Sequence, residues 1–308
     1  MIFAGMKTIL VTGSNGLLGQ KLTTLICGSQ RANLIATSRG ANRNPLSEGY
    51  LYVEMDISDS EHVEEVISKY KPDVVINTAA ITNVDICHIQ RDLCTKVNVE
   101  AVEHLSKICK NLDVHLVHLS TDFVFDGNAG PYKEDDLLNP LSFYGESKRL
   151  AEEALKSSGG KWTIIRTILV YGITASSSRS NIVLWAKSSL EKGAPINVVN
   201  DQWRMPTLAE DLAEACLLAA EKEATGVFHI SGKDMMSVYE LVQQVGAFWN
   251  LDTSLIRPVS SATLNQDAKR PMKTGFILDK AIKELNYKPH SFLEGLQLQK
   301  MQIQLAGM

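Results

Sequence analysis

The sequence is poor in the features that mark membrane-spanning, secreted or nucleic-acid-binding proteins. No run approaches the ~18 apolar residues that a bilayer-spanning helix needs. The opening residues, Met1 to Thr12, lack the charged, apolar and small-residue segments of a secretory signal. Cysteine is scarce and odd in number. Cys27, Cys87, Cys94, Cys109 and Cys216 form no C-x-x-C pair, which points to reduced thiols in the cytoplasm rather than to a disulfide framework or a metal cluster. Positive charge is not in excess: 31 basic against 35 acidic residues leave a net −4, so the basic stripe of a nucleic-acid binder is missing. Internal repeats and low-complexity tracts are absent as well. What remains is ordinary globular usage, 44% hydrophobic and 21% charged over 308 residues, enough for a sizeable core without staples and for one large domain or two modest ones. The first strand begins late, at Lys7, so Met1–Met6 reads as a ragged start or an alternative initiation site.

The first half alternates two periodicities. Apolar runs at 8–12, 33–37, 50–54, 74–77, 114–120 and 162–166 suit strands buried on both faces. Helical patterns fill 16–27, 58–70 (with Ser58 or Asp59 as N-cap), 90–111 and 141–157. This alternation predicts an α/β protein with a parallel sheet covered by helices on both sides. After Tyr171 the rhythm breaks. A polar loop at 174–180 precedes helices at 181–192, 210–222, 237–249 and 279–285 and a strand at 227–230, the mark of a smaller, interrupted second lobe.

Gly13-Ser14-Asn15-Gly16-Leu17-Leu18-Gly19 follows the first strand and opens a helix. Glycines there let the backbone turn tightly against a pyrophosphate, whose charge sits at the helix N-terminus. The order strand, glycines, helix predicts a dinucleotide site. An NAD site usually places an acid at the end of the second strand. Here the segment is Thr37-Ser38-Arg39, so Arg39, with Ser38 and Arg43, is expected to meet a 2′-phosphate. NADPH is therefore the expected cofactor and NADH the alternative. Asp56 is placed for the adenine edge, and the small residues Ala79 and Ala80 let the cofactor lie close.

Ser120-Thr121-Asp122 ends the fifth strand, on the side of the sheet where ligands bind. Tyr144 and Lys148 follow at i and i+4 on one helix face. A tyrosine hydroxyl, with pKa near 10, becomes a useful acid–base group when an ammonium favours its phenolate.

With these residues the chain resembles the extended short-chain dehydrogenase/reductase family, of the dTDP-4-dehydrorhamnose reductase type. The resemblance runs through Gly13–Gly19, Asn77-Thr78-Ala79-Ala80, Val84-Asp85, the block from Leu119 to Gly127, Tyr144-Gly145-Glu146-Ser147-Lys148, Arg166-Thr167, Asp201-Gln202 with Pro206-Thr207, Asp211-Leu212-Ala213 and Arg270-Pro271. It implies a Rossmann-type doubly wound sheet with a smaller C-terminal substrate-binding lobe. The cofactor domain would take 1–171 and about 203–233, the lobe about 172–202 and 234–308. It also implies that Thr121 polarises a keto oxygen, Tyr144 protonates it, and Lys148 holds the nicotinamide ribose and tunes Tyr144. Ile57 joins the cofactor residues. Thr82, Val84, Asp122, Trp203, Arg204 and Arg270 become candidates for a nucleotide-sugar substrate, a 4-keto-6-deoxyhexose linked to a nucleoside diphosphate. A cytoplasmic enzyme without nucleic-acid or membrane partners follows, with a homodimer left open.

The sequence departs from that type at several points. Leu169 stands where tryptophan commonly packs on the sugar, His88 ends a segment that usually ends in glutamate, and Arg270–Phe276 does not match the usual C-terminal signature. Lys21 replaces the acid that some relatives use at an interfacial metal, so no metal is expected. Two alternatives stay open: a nucleotide-sugar epimerase or dehydratase, against which Phe123 stands where a dehydratase would carry an acid, and a non-catalytic regulatory subunit resembling that of methionine adenosyltransferase. His115 and His118 read as packed or polar-paired residues, and Ser176–Ser180 as a loop.

Overall fold

Seven parallel strands form the spine: β1 (Thr8–Thr12), β2 (Asn33–Ser38), β3 (Leu51–Glu54), β4 (Val74–Asn77), β5 (His115–Thr121), β6 (Trp162–Thr167) and a last strand, Gly226–Ile230. They pair in the order β3-β2-β1-β4-β5-β6 followed by Gly226–Ile230. The order reverses between β1 and β4, and the crevice outside the strand ends at such a reversal is where open α/β sheets bind ligands. The structure, a computed structural model, describes residues 5–174, 181–263 and 267–305. Residues 1–4 of the expected ragged start and 175–180 of the expected polar loop lie outside the described residues.

The inner strands β1, β2 and β4 are largely apolar because both faces are covered. Ile9, Val11, Leu34, Ala36, Ile76 and Val117 join one core. Leu10, Ile35, Val75 and Leu116, each one residue out of step, join the other. On the first face lie α1 (Leu17–Ser29) and the helix Ala209–Glu221. On the second lie α2 (Ser60–Tyr70) and the helices Ala101–Asn111 and Phe143–Ser158. Asp59 is the N-cap of α2, its carboxyl accepting from the His62 amide at 3.2 Å.

The stretch expected as one helix over 90–111 contains a π turn at Lys96–Glu100, between Arg91–Thr95 and Ala101–Asn111. The extra residue turns Asn98 inward. Its amide clamps the backbone of Ile81, donating to the carbonyl and accepting from the N–H, both at 2.9 Å.

A third core forms the second lobe. Val183 and Leu190, Ile196 and Val198, Leu241 and Val245, and Phe292 and Leu296 meet there. The helix Phe292–Leu305 is absent from the sequence expectation. Its Leu-Gln-Leu-Gln and Gln-Ile-Gln-Leu runs alternate like a strand, while its buried residues Phe292, Gly295, Leu296 and Gln299 keep helical spacing. Phe276, Leu278, Ala281, Leu285 and Tyr287 return to the first core, beside the edge strand Gly226–Ile230.

Candidate active site

Two adjoining clefts open at the carboxyl ends of the strands, of about 420 and 510 Å³. Gly16, Thr78 and Ala80 line both, so the two make one trough. The first is walled by Gly13, Asn15, Ser38, Arg39, Arg43, Asp56, Ile57 and Ala79.

The glycine loop is shaped for a dinucleotide. Gly13 has φ +66°, and a Cβ there would stand 2.9 Å from the Ala79 nitrogen. A Cβ on Gly19 would collide with the carbonyl of Gly13. α1 begins at a glycine N-cap with no side chain bonded to its first amides and no acid in its first turn, which leaves an N-terminus suited to phosphate. Asn15 fastens the neighbouring loop: its amide donates to the Ala41 carbonyl at 2.9 Å and accepts from the Arg43 N–H at 2.7 Å. Arg39 is 82% exposed, with Asp56 at 3.9 Å as its acidic neighbour. Partial burial works against the Asp56 charge, yet the Ser58 amide and hydroxyl hold its carboxyl below the usual range.

The second cleft gathers Leu17, Leu18, Thr82, Val84, Thr121, Asp122, Tyr144, Lys148, Leu169 and Arg270. Thr121 ends β5, and its hydroxyl interacts with the Tyr144 phenol. Ser142 caps the helix that carries Tyr144 and Lys148, accepting from the Gly145 N–H at 3.2 Å. Both side chains are buried. Burial raises the Tyr144 phenol above its usual range, with the charges of Asp122, Cys87 and Cys94 adding to it. Burial brings the Lys148 ammonium down to about 8. The Lys148 Nζ lies 3.0 Å from His118 Nε2.

Strand and helix meet in register. His118 and Ser120 share one face of β5, and Lys148 and Glu152 share one face of the helix. Ser120 donates to Glu152 at 2.7 Å, and Glu152 accepts a two-pronged contact from Arg166 at 2.9 and 2.7 Å. The sequence motifs point to Tyr144 and Lys148 but not to this second pairing. Spacing of two on β5 against four on the helix was the available signal.

The structure does not bring all the candidate substrate residues together. Arg270 reaches the cleft and pairs with Asp85 at 2.7 Å. Trp203 and Arg204 line neither cleft. Arg204 is buried, and its guanidinium donates to the carbonyls of Pro271 at 2.7 Å and Trp203 at 2.7 Å and to Gln202 at 3.2 Å. Asp122, which accepts from Thr274 and lies 3.9 Å from Arg204, ties the end of β5 to the second lobe. Leu169 holds a left-handed backbone, φ +41°.

The profile of the RmlD substrate binding domain family matches residues 6–304. The chain belongs to that family. The spore coat polysaccharide biosynthesis protein SpsK of Bacillus subtilis is 31% identical over 294 residues, 95% of this chain and 96% of that protein. The methionine adenosyltransferase 2 subunit beta of Bos taurus is 29% identical over 271 residues, 86% of this chain and 78% of that protein. A dTDP-4-dehydrorhamnose reductase structure from Clostridium acetobutylicum superposes with a TM-score of 0.83 at 28% identity, covering 96% of this chain and 99% of that one. One from Bacillus anthracis in complex with NADP gives 0.82 at 25%, covering 96% and 99%. This RmlD-family chain is an NAD(P)H-dependent oxidoreductase of the extended short-chain type. Among the described residues, no helix is long and apolar enough to cross a membrane.

Proposed function

We propose that the protein reduces the C4 keto group of a nucleotide-linked 6-deoxy-4-ketohexose with NADPH. The observation that carries this reading is the convergence of Thr121, Tyr144 and Lys148 on the cleft that adjoins the glycine cradle. NADPH, when bound, supplies hydride to the C4 carbon. Gly13, Gly16, Leu17 and Leu18 hold its pyrophosphate against α1, and Ser38 and Arg39 meet the 2′-phosphate. Thr121 donates a hydrogen bond to the keto oxygen, which gains charge as the carbonyl is reduced. Tyr144 gives that oxygen its proton. Lys148, once charged, favours the phenolate left on Tyr144 and draws its pKa down from the raised value that burial gives it. Arg270 faces the sugar or its diphosphate, exchanging its contact with Asp85 for phosphate oxygens.

Tyr144→Phe tests the assignment. Following NADPH oxidation with a nucleotide-linked 4-keto-6-deoxyglucose, the rate should fall ~10²–10⁴-fold while NADPH still binds. A near-parent rate would place the acid elsewhere.

The methionine adenosyltransferase subunit among the relatives favours a second reading, a cofactor-binding regulatory subunit without turnover. Leu169 in the place of a sugar-packing tryptophan agrees with it. Absence of turnover on every 4-keto nucleotide sugar, together with stable NADPH binding, would decide for it.

A further inference from the structure

Lys148 is buried with no carboxylate of its own. Glu152, one turn along the helix, is committed to Arg166 and Ser120. Tyr144 lies one turn the other way, and Cys87 and Cys94 face the pair from the segment packed on that helix. Among the described residues, the one hydrogen-bond partner of Nζ is His118 Nε2, at 3.0 Å.

The tautomer of His118 is fixed from its other side. His118 Nδ1 lies 3.1 Å from Asn77 Nδ2. The oxygen of that amide accepts from the Thr12 hydroxyl at 2.6 Å and shares the Ala79 N–H with Thr12 Oγ1, each at 3.3 Å, and its NH₂ end faces the imidazole. An amide NH₂ only donates. Nδ1 must therefore accept, and a neutral imidazole then carries its proton on Nε2. The ring is 1% exposed, which disfavours the imidazolium. The Nε2–H points at the Lys148 nitrogen, and that hydrogen bond forms when Nζ presents a lone pair.

We propose that His118, locked by Asn77, is a positioning residue that loosens the proton of Lys148 until the cofactor binds. The inference rests on the NADPH-dependent reading above. It gives the site an order of assembly. Lys148 holds its proton more firmly, and with it the power to stabilise a Tyr144 phenolate, when the ribose hydroxyls and anionic charge of the cofactor enter the trough. Glu152, Cys87 and Cys94 favour the ammonium already and burial opposes it, so the added field of the cofactor decides the balance.

The test reads protons rather than turnover. In cofactor-free protein carrying ¹⁵N-histidine, a long-range ¹H–¹⁵N correlation should show His118 protonated on Nε2 and bare on Nδ1. Its signals are assigned by their loss in His118→Gln. The ¹³Cε signal of Lys148, assigned by its loss in Lys148→Met, should titrate at or below about 8 and move up by about one unit or more when NADPH is added, a tenfold shift in proton affinity. Asn77→Asp should flip the tautomer, because a carboxylate accepts from Nδ1–H, and should raise the Lys148 midpoint without cofactor. A proton on Nδ1 in the parent protein, or an imidazolium, would overturn the proposal, and so would a Lys148 midpoint unmoved by NADPH. The parent spectrum decides even if Asn77→Asp fails to fold. Failure to reduce any keto sugar would sink the functional reading and leave these resonances as they are.

Discussion

Removing one partner of the buried pair Glu152–Arg166 should cost more than any surface change in this chain. Both side chains are essentially inaccessible, at 0% and 1%. Glu152→Leu would leave the guanidinium with the Glu134 carbonyl at 3.0 Å and His229 Nε2 at 3.2 Å, neither of which carries negative charge. Stranding one charge of a buried pair costs about 3–5 kcal/mol, a fifth or more of a typical domain's ~5–15 kcal/mol. Replacing both charges is different in kind: Glu152→Leu with Arg166→Met strands nothing and should regain most of the loss. Urea unfolding followed by far-ultraviolet circular dichroism gives the three free energies, and the double-mutant cycle gives the coupling. Glu152 also pins Ser120, next to Thr121, to the helix that bears Lys148. The single variant should therefore lose turnover at temperatures where it remains folded. A single substitution costing less than about 1 kcal/mol, or a double variant costing the sum of the two, would refute the argument.

Arg39→Ala should weaken NADPH about 10- to 100-fold and leave NADH nearly unchanged, since a charge-assisted contact contributes about 1.5–3 kcal/mol. Equal weakening in a fluorescence titration with both cofactors would remove Arg39 from the 2′-phosphate. Arg270→Ala should raise KM for the nucleotide sugar and spare NADPH affinity, and an unchanged KM would make its pairing with Asp85 purely structural. His229 is held at about 3 by burial, with the Arg166 charge adding to the effect, against 6.5 in an open chain. The unfolded chain takes up this proton first. Stability is thus complete above pH 6.5 and falls as pH drops toward 3, by about 1.4 kcal/mol per unit for this one residue. Urea midpoints measured down that range should show the slope, and His229→Gln should flatten it by one proton.

The cleft around the glycine loop was legible because its residues lie in local motifs. A glycine loop, a strand end and an i, i+4 pair each declare themselves within a few residues, and the first six strands lie close to their expected bounds for the same reason. Contacts across the fold were less legible. Asp201-Gln202 and Pro206-Thr207 frame Trp203 and Arg204 as pocket residues, yet Arg204 turns inward to satisfy the carbonyls of a segment almost seventy residues away in sequence. His118 reads as packed or polar-paired in the sequence and is polar-paired, but its partners Asn77 and Lys148, from another strand and a helix, could not be named from local spacing. The π turn around Asn98 follows an ordinary helical pattern, and only the clamp on Ile81 reveals why the extra residue is there.

The way the chain threads between its cores bears on how such proteins can be recombined. The edge strand Gly226–Ile230 joins the sheet only after the helix Ile182–Glu191 has entered the third core, and Phe276 to Tyr287 later return to the first core beside that edge strand. No single crossover point separates the half that would hold cofactor from the half that would hold sugar. A chimera joined once, or a chain cut before Phe276, would leave the first core without part of its filling. New sugar preferences in this architecture should therefore be reached by single replacements along the trough wall, at positions such as Leu169, rather than by exchange of whole cassettes.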